Sequence, residues 1–358
     1  MSIPGGTGIE ISVLKEDKQE HFQLLELPAE LLEIIACKPS PVLQFKSQEG
    51  PAGRPFDQNA VICTENRTYS LRRVNTSNSV FLVRPKGDGS TRDGSMERAL
   101  QGVAQSSFTL ELNPVTPKTS NAIPYLREAL PTYSSTGHYL GKELIPKRQL
   151  FSNISFSTHE CEMAFSALAC FELQDPRGCF IPSGVAKVRA WKSILEQALS
   201  HGIDITAPLT SAQSSIIVDT SEDWPAELTQ SVRDCILGDI HKERDSLHTQ
   251  LAISKIGLNL LESSGQGNLN STNVSAFLSA WADQLPEKWR AEASLETLKK
   301  SEIDGYVLEN GGQDIKFAAS MSVHGSTTSE ASPVRAESKS LGAKRKWHEK
   351  FRSSKKPA

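Results

Sequence analysis

The sequence has no CxxC pair, no long apolar run and few aromatic residues, and each absence narrows what the chain can be. Its six cysteines are Cys37, Cys63, Cys161, Cys170, Cys179 and Cys235, and none are spaced as paired zinc ligands. His159 and Cys161 are neighbours, but no second pair completes a site, so no metal is expected. The cysteines read instead as small buried hydrophobes of a reducing compartment. The opening residues Met1–Glu20 lack the apolar centre of a secretory leader. No stretch approaches eighteen consecutive apolar residues, so neither a transmembrane helix nor membrane association is expected.

Catalytic signatures are missing as well. The sequence contains no Walker A loop, no GxGxxG fingerprint and no GxSxG elbow. His21, His138, His201 and His248 sit in polar contexts without a nucleophile pattern, and the carboxylates alternate with Lys and Arg as solvated faces do. The expectation is a chain that is not an enzyme and holds no cofactor. With 38% hydrophobic and 6% aromatic residues over 358 positions, it can build real cores but not one large compact enzyme. Its length favours two or three domains.

What is present is an uneven charge. The net charge is −3, yet Pro333–Ala358 holds nine Lys and Arg against Glu337 and Glu349. That is a surplus of seven positive charges, leaving −10 for the residues before it. A basic tail of this kind binds nucleic acid or carries an import signal. Lys344, Arg345, Lys346, Lys355 and Lys356 are the nuclear-import candidates, and the first three are also DNA-binding candidates.

Along the chain, residues 1–20 are polar and read as disordered. Residues 21–115 form a β-rich region. Phe22–Leu27 reads as a strand, and Pro28 opens a short helix with Leu31, Leu32 and Ile35 on one face. Val42–Phe45, Ala60–Thr64, Thr68–Val74, Ser79–Val83 and Phe108–Leu112 read as further strands. Glu65-Asn66 makes a turn, Thr76-Ser77-Asn78 a second one, and Lys86–Ser107 a polar loop. These strands are too few and short for a self-sufficient barrel, and open strand edges invite pairing with another chain. The partner-binding candidates on these strands are Leu24, Leu25, Val61, Ile62, Tyr69, Leu71 and Phe81.

Beyond Pro114–Pro117 a helical period takes over. Ser157 and Glu160 form a capping box before a helix carrying Cys161, Phe165 and Leu168. Phe180-Ile181 reads as a short strand. In Val185–Leu199 the apolar face holds Val188, Trp191, Leu195, Ala198 and Leu199. Arg189 points away from it, flanked by Lys187 and Lys192, and these three bases are the other DNA-binding candidates. Trp224–Ile236 buries Leu228, Val232, Cys235 and Ile236, and His241–Glu262 continues as helix. Last come Val274, Phe277, Leu278 and Trp281 at helical spacing, a break at Leu285-Pro286, and a second helix with Ala291, Leu295 and Leu298. A hairpin follows about Asn310-Gly311-Gly312, which completes a winged-helix pattern. The fold class is therefore α+β: a β-rich domain at 21–115, winged-helix-like domains at 116–205, 206–272 and 273–320, and a disordered basic tail at 321–358. Residues 273–320 hold five Lys and Arg against eight Asp and Glu. This acidic balance suits protein contacts better than phosphate contacts.

Several of these stretches carry a resemblance. Phe22–Ile35, Ala60–Thr64, Thr68-Tyr69-Ser70-Leu71 and Asn75–Ser79 resemble the DCC-type sister-chromatid cohesion subunit of the alternative, CTF-type clamp loader. Glu111–Pro117 and the Phe277–Phe317 block are similar to the same family, so the resemblance spans residues 22–320. It implies a non-catalytic subunit of a replication-factor-C-like complex in the nucleus. It also implies an N-terminal sheet shared with the small CTF-type subunit and with the C-terminus of the large CTF-type ATPase subunit. Winged helices that contact single- and double-stranded DNA and the replicative leading-strand polymerase are implied too, with action on PCNA only indirect. Two other readings remain open: a winged-helix transcription regulator, which needs a basic recognition helix in the major groove, and a chromatin scaffold without DNA contact.

Overall fold

A computed structural model of the chain describes residues 10–15, 18, 20–47, 60–85, 99–134, 142–218, 224–238, 246–265, 271–301 and 305–318. All described residues lie in one compact unit, Met1–Ala319. The expected disordered tail and its basic candidates lie outside the described residues.

The N-terminal region is a curled six-stranded sheet. Its elements are β1 (Glu10–Val13), β2 (Leu24–Glu26), helix α1 (Ala29–Ala36), β3 (Gln44–Lys46), β4 (Val61–Cys63), β5 (Thr68–Pro85) and β6 (Ala99–Pro114). The strand order is β1-β6-β5-β4-β3, with β2 also paired to β6. Both β1 and β2 run parallel to β6, one beside each half of it. The sheet rests on the long antiparallel β5–β6 hairpin. Two strands expected separately, Thr68–Val74 and Ser79–Val83, are one continuous strand. Much of the expected polar loop, from Ala99 onward, pairs as β6. Thr76-Ser77-Asn78 is not a turn: the register shifts between Asn75 and Val80, so these residues bulge from an unbroken hairpin. In the polar opening, Glu10–Val13 is held as a strand by β6.

Helix α1 starts directly after Pro28, its N-cap residue. Leu31 and Ile35 face the sheet, whereas Leu32 points out. Among the described residues the core beneath α1 is small: Leu31, Ile62, Tyr69 and Leu112 are buried in it, edged by Leu27, Ile35, Leu43 and Leu71.

The rest is largely helical. Helices α2 (Thr119–Ala129), α3 (Lys147–Asn153) and α4 (Thr158–Ala167) surround the short strand β7 (Thr132–Tyr133), followed by the hairpin β8 (Phe171–Gln174) and β9 (Arg177–Pro182). The sequence showed only β9 of that hairpin. The expected capping box is present: Ser157 Oγ accepts from Glu160 N at 3.2 Å, and Glu160 Oε2 accepts from Ser157 N at 3.2 Å. Next come α5 (Gly184–Ser200), α6 (Ser211–Val218), α7 (Ala226–Leu237) and α8 (Ser246–Gly265). The chain continues as β10 (Thr272–Asn273), α9 (Val274–Ala282), a 3-10 turn at Glu287–Glu292, α10 (Leu295–Lys300), β11 (Tyr306–Glu309) and β12 (Asp314–Phe317). The turn between β11 and β12 places Asn310, Gly311 and Gly312 at positive φ, which explains the Asn-Gly-Gly sequence there.

Two three-stranded sheets result, ordered β7-β9-β8 and β10-β12-β11. One hydrophobic cluster runs from Ala169 to Ile315 and crosses the boundaries expected near 205 and 272; a second packs α2–α4. Long-range indole hydrogen bonds tie the first together: Trp191 Nε1 donates to Gln284 O at 2.8 Å and Trp281 Nε1 to Ile253 O at 3.1 Å. The buried face of α5 holds Ala186, Ala190, Trp191, Ile194 and Ala198, whereas Leu199, expected on that face, is exposed.

A Cβ at Gly257 of α8 would stand 2.7 Å from Cε2 of the fully buried Trp281. Gly257→Ala should therefore destabilise the chain by about 1–3 kcal/mol, read as a lowered urea midpoint by tryptophan fluorescence. A second expectation concerns the thiols, all free and all buried except Cys37. Burial pushes Cys161 and Cys179 up to about 12 and raises Cys63 and Cys170 too. Their reactive thiolates are thus scarce below pH 9. Titration of the native chain with a thiol reagent at pH 8 should give one fast equivalent, lost in Cys37→Ser, and the remaining five only after denaturation.

Candidate partner-binding interface

A sheet strand offers hydrogen bonds on both sides, and β5 uses only part of one. Strand β4 covers it at Thr68–Ser70 alone. From Arg72 to Pro85 its sole strand neighbour among the described residues is β6. On its far side β6 is already covered, by β1 and β2. The distal half of β5 is thus an open edge of a kind that proteins seldom leave uncovered.

The side chains on that edge are apolar on both faces. Val80, Phe81, Leu82 and Val83 are each 42–45% exposed. Successive residues of a strand point to opposite faces. The Val80–Val83 run of β5 is therefore left partly open on both faces among the described residues, although Val103 and Ala104 of the neighbouring β6 are buried. A second apolar patch surrounds the outer strand β3, where Val42 and Phe45 are 77% and 70% exposed. On the far side of the sheet, Ile11 and Val13 of β1 and Leu25 of β2 are exposed as well.

The expected partner-binding residues divide accordingly. Leu25 and Phe81 are exposed, and Leu24 is half-buried on β2. Val61, Ile62, Tyr69 and Leu71 lie on inner strands: the first three are buried, and Leu71 packs beside the local core. They hold the sheet together and are not presented at an edge. Reading alternation alone could not separate the two groups, because the order of strands in the sheet depends on the long hairpin. The residues missed were Val80, Leu82, Val83 and Phe45; the signal for the first three was the unbroken apolar run Val80–Val83.

The sheet is fixed to the helical part by a buried polar junction. Lys46, at the end of the outer strand, is buried and donates to the carbonyls of Phe151 (2.8 Å), Ile154 (3.1 Å) and Phe156 (2.8 Å). An ammonium has three protons, and each one finds an oxygen here. Those carbonyls lie at and just beyond the C-terminal end of α3, the negative end of its dipole. Beside them, Thr68 Oγ1 donates to Glu160 Oε2 at 2.5 Å and accepts from Ser157 N at 2.8 Å. His159 N donates to Glu65 O at 3.0 Å, joining the first turn of α4 to the β4–β5 turn. Glu160 Oε2 also accepts from Ser157 Oγ at 2.7 Å.

Of the expected DNA-contact residues on α5, Lys187 corrects the sequence reading. It is buried and paired with Glu262 of α8 at 2.8 Å, so its charge is spent inside the fold. Arg189 and Lys192 are exposed. Lys344, Arg345, Lys346, Lys355 and Lys356 lie outside the described residues. No group of three or more His, Cys, Asp or Glu side chains that could hold a metal is found among the described residues. Nor is any described helix long and apolar enough to cross a membrane.

The family model described as sister chromatid cohesion protein Dcc1 matches residues 22–322. No curated protein matches the chain.

Replacing Lys46 by Met keeps the stem but leaves three buried carbonyls without their donor. Lys46→Met should cost roughly 3 kcal/mol and open new protease cleavage between Val115 and Lys118. An unchanged urea midpoint together with an unchanged digest would show that the ammonium is dispensable.

Proposed function

The chain belongs to the Dcc1 family of sister chromatid cohesion proteins, and from that premise we propose that it is a non-catalytic subunit of the alternative, CTF-type clamp loader. In this reading its N-terminal sheet is completed by strands from the small CTF-type subunit and from the C-terminus of the large CTF-type ATPase subunit. The complex works in the nucleus on the PCNA sliding clamp, with ATP hydrolysis supplied by other subunits. The observation that carries the reading is the open edge of β5 from Arg72 to Pro85, apolar on both faces at Val80–Val83. A foreign strand there gains main-chain hydrogen bonds and buries apolar surface in one step.

The helical part is read as winged helices. In both small sheets a short leading strand joins the outer side of the hairpin's second strand, giving β7-β9-β8 and β10-β12-β11. In the second sheet both pairings are antiparallel. Residues 206–272 contribute chiefly α6, α7 and α8, and the reading of three units there rests on the helical rhythm. These domains would meet the leading-strand polymerase and single- or double-stranded DNA, with Arg189, Lys192 and the basic tail as the DNA contacts. The acidic balance of residues 273–320 favours protein over phosphate for the last of them, and speaks against the transcription-regulator alternative.

Phe81→Glu puts a charge in the middle of the open edge without touching the local core. It should lower co-purification of the small CTF-type subunit at least tenfold while leaving the thermal unfolding of the helical part unchanged. Slow amide exchange along the whole of β5 in the chain without partners would defeat the strand-sharing reading, because it would show that edge already closed.

A further inference from the structure

Away from the sheet edge, the C-terminal half of α5, the loop after it and the segment Asp283–Arg290 enclose a groove of about 700 Å³. Its apolar lining includes Leu195, Leu199, Ile203, Leu285 and Pro286. Leu199 at its margin is 84% exposed, although it belongs to a helix whose other face packs tightly. Leu199 extends the apolar lining of the groove outward, so the groove and its margin form one contiguous apolar surface of the kind that partners cover.

The polar lining is lopsided. Four carboxylates, Glu196, Asp204, Asp283 and Glu287, line the groove against Lys192 and Arg290. Asp204 is held by Lys288 at 2.6 Å, which with Thr206 lowers its carboxyl to about 2, so it stays charged at any physiological pH. Glu196, Asp283 and Glu287 form no ion pair among the described residues. A site of this charge repels phosphate. No residue of the N-terminal sheet lines the groove.

We propose that this groove docks an amphipathic segment of a partner protein, one that inserts Leu, Ile or Phe anchors at helical spacing and flanks them with Lys or Arg. The apolar lining takes the anchors, and the unpaired carboxylates on the rim receive the basic flanks. The contact is separate from the strand-sharing edge, so one chain joins two partners through two chemistries. Charge on the rim sets the choice of partner and the on-rate, and the buried anchors set the residence time.

The test uses the full-length chain as bait for a phage-displayed library of random peptides, with Leu199→Ser and Glu287→Lys chains as parallel baits. Both substitutions lie on exposed side chains and should leave thermal unfolding and assembly with the small CTF-type subunit unchanged. The expected enrichment on the unsubstituted chain is of peptides with Lys or Arg beside helically spaced Leu, Ile or Phe. Synthesised and labelled, these peptides should bind at least tenfold more weakly to either substituted chain, and more weakly as salt rises. Enrichment of acidic peptides, equal enrichment on all three baits, or no enrichment above bare support would each overturn the proposal. So would concentration-dependent self-association abolished by Leu199→Ser, because the occupant would then be a second copy. Undiminished strand sharing in Phe81→Glu with peptide binding intact would sink the proposed function and leave the groove standing.

Discussion

The fold of this chain turns on one buried ammonium. Lys46 ends a three-residue strand that, on its other side, has no strand neighbour among the described residues, yet its charge is carried under the helices and shared among three carbonyls at the end of α3. A charge taken out of water is tolerated only when its hydrogen-bonding capacity is met. Here it is met only if sheet and helices hold one relative placement. Thr68 of β5 makes the same demand through Glu160 of α4, and the backbone bond from His159 to Glu65 repeats it. The polar junction does little to increase stability over an apolar contact of equal size; its consequence is orientation. It fixes where the open edge of β5 points.

That edge follows from an imbalance in the N-terminal region. A hairpin as long as β5–β6 is a large framework for a core that, among the described residues, holds four buried side chains under one short helix. The proximal half is covered by α1, β4 and the junction. The distal half has β1 beside β6 and nothing described beside β5. The apolar run at Val80–Val83 is thus costly in an isolated chain, and the proposed strand sharing would cover it and link the chain's stability to its partner.

The helical part shows the opposite economy. Its largest cluster joins residues from Ala169 to Ile315 in one apolar mass, fastened by Trp191 and Trp281, both of whose indole nitrogens reach backbone carbonyls across long stretches of chain. A single packed mass of that kind presents several surfaces at once: exposed bases on α5, the groove beside it and the acidic stretch that begins at Asn273. The burial of Lys187 against Glu262 belongs to the same economy, a base on a helix surface recruited to brace α5 against α8.

Local rules were enough for much of this. The capping box at Ser157 and Glu160, the helix opened by Pro28, the buried stripe Leu228, Val232, Cys235 and Ile236, and the Asn-Gly-Gly turn all follow from interactions within a few residues, so the sequence alone determined them, together with the family resemblance. What it did not determine was every feature that depends on which strand lies beside which. The bulge at Thr76–Asn78 reads locally as a turn, because only the partner strand β6 keeps the hairpin running through it. Lys187 reads as a surface base, because Glu262 is distant in sequence. Leu199 reads as core. For the bulge and for Lys187 the deciding neighbour comes from a remote part of the chain, whereas Leu199 is left uncovered among the described residues. Side-chain periodicity reports which face of an element is apolar, whereas packing decides what, if anything, covers it.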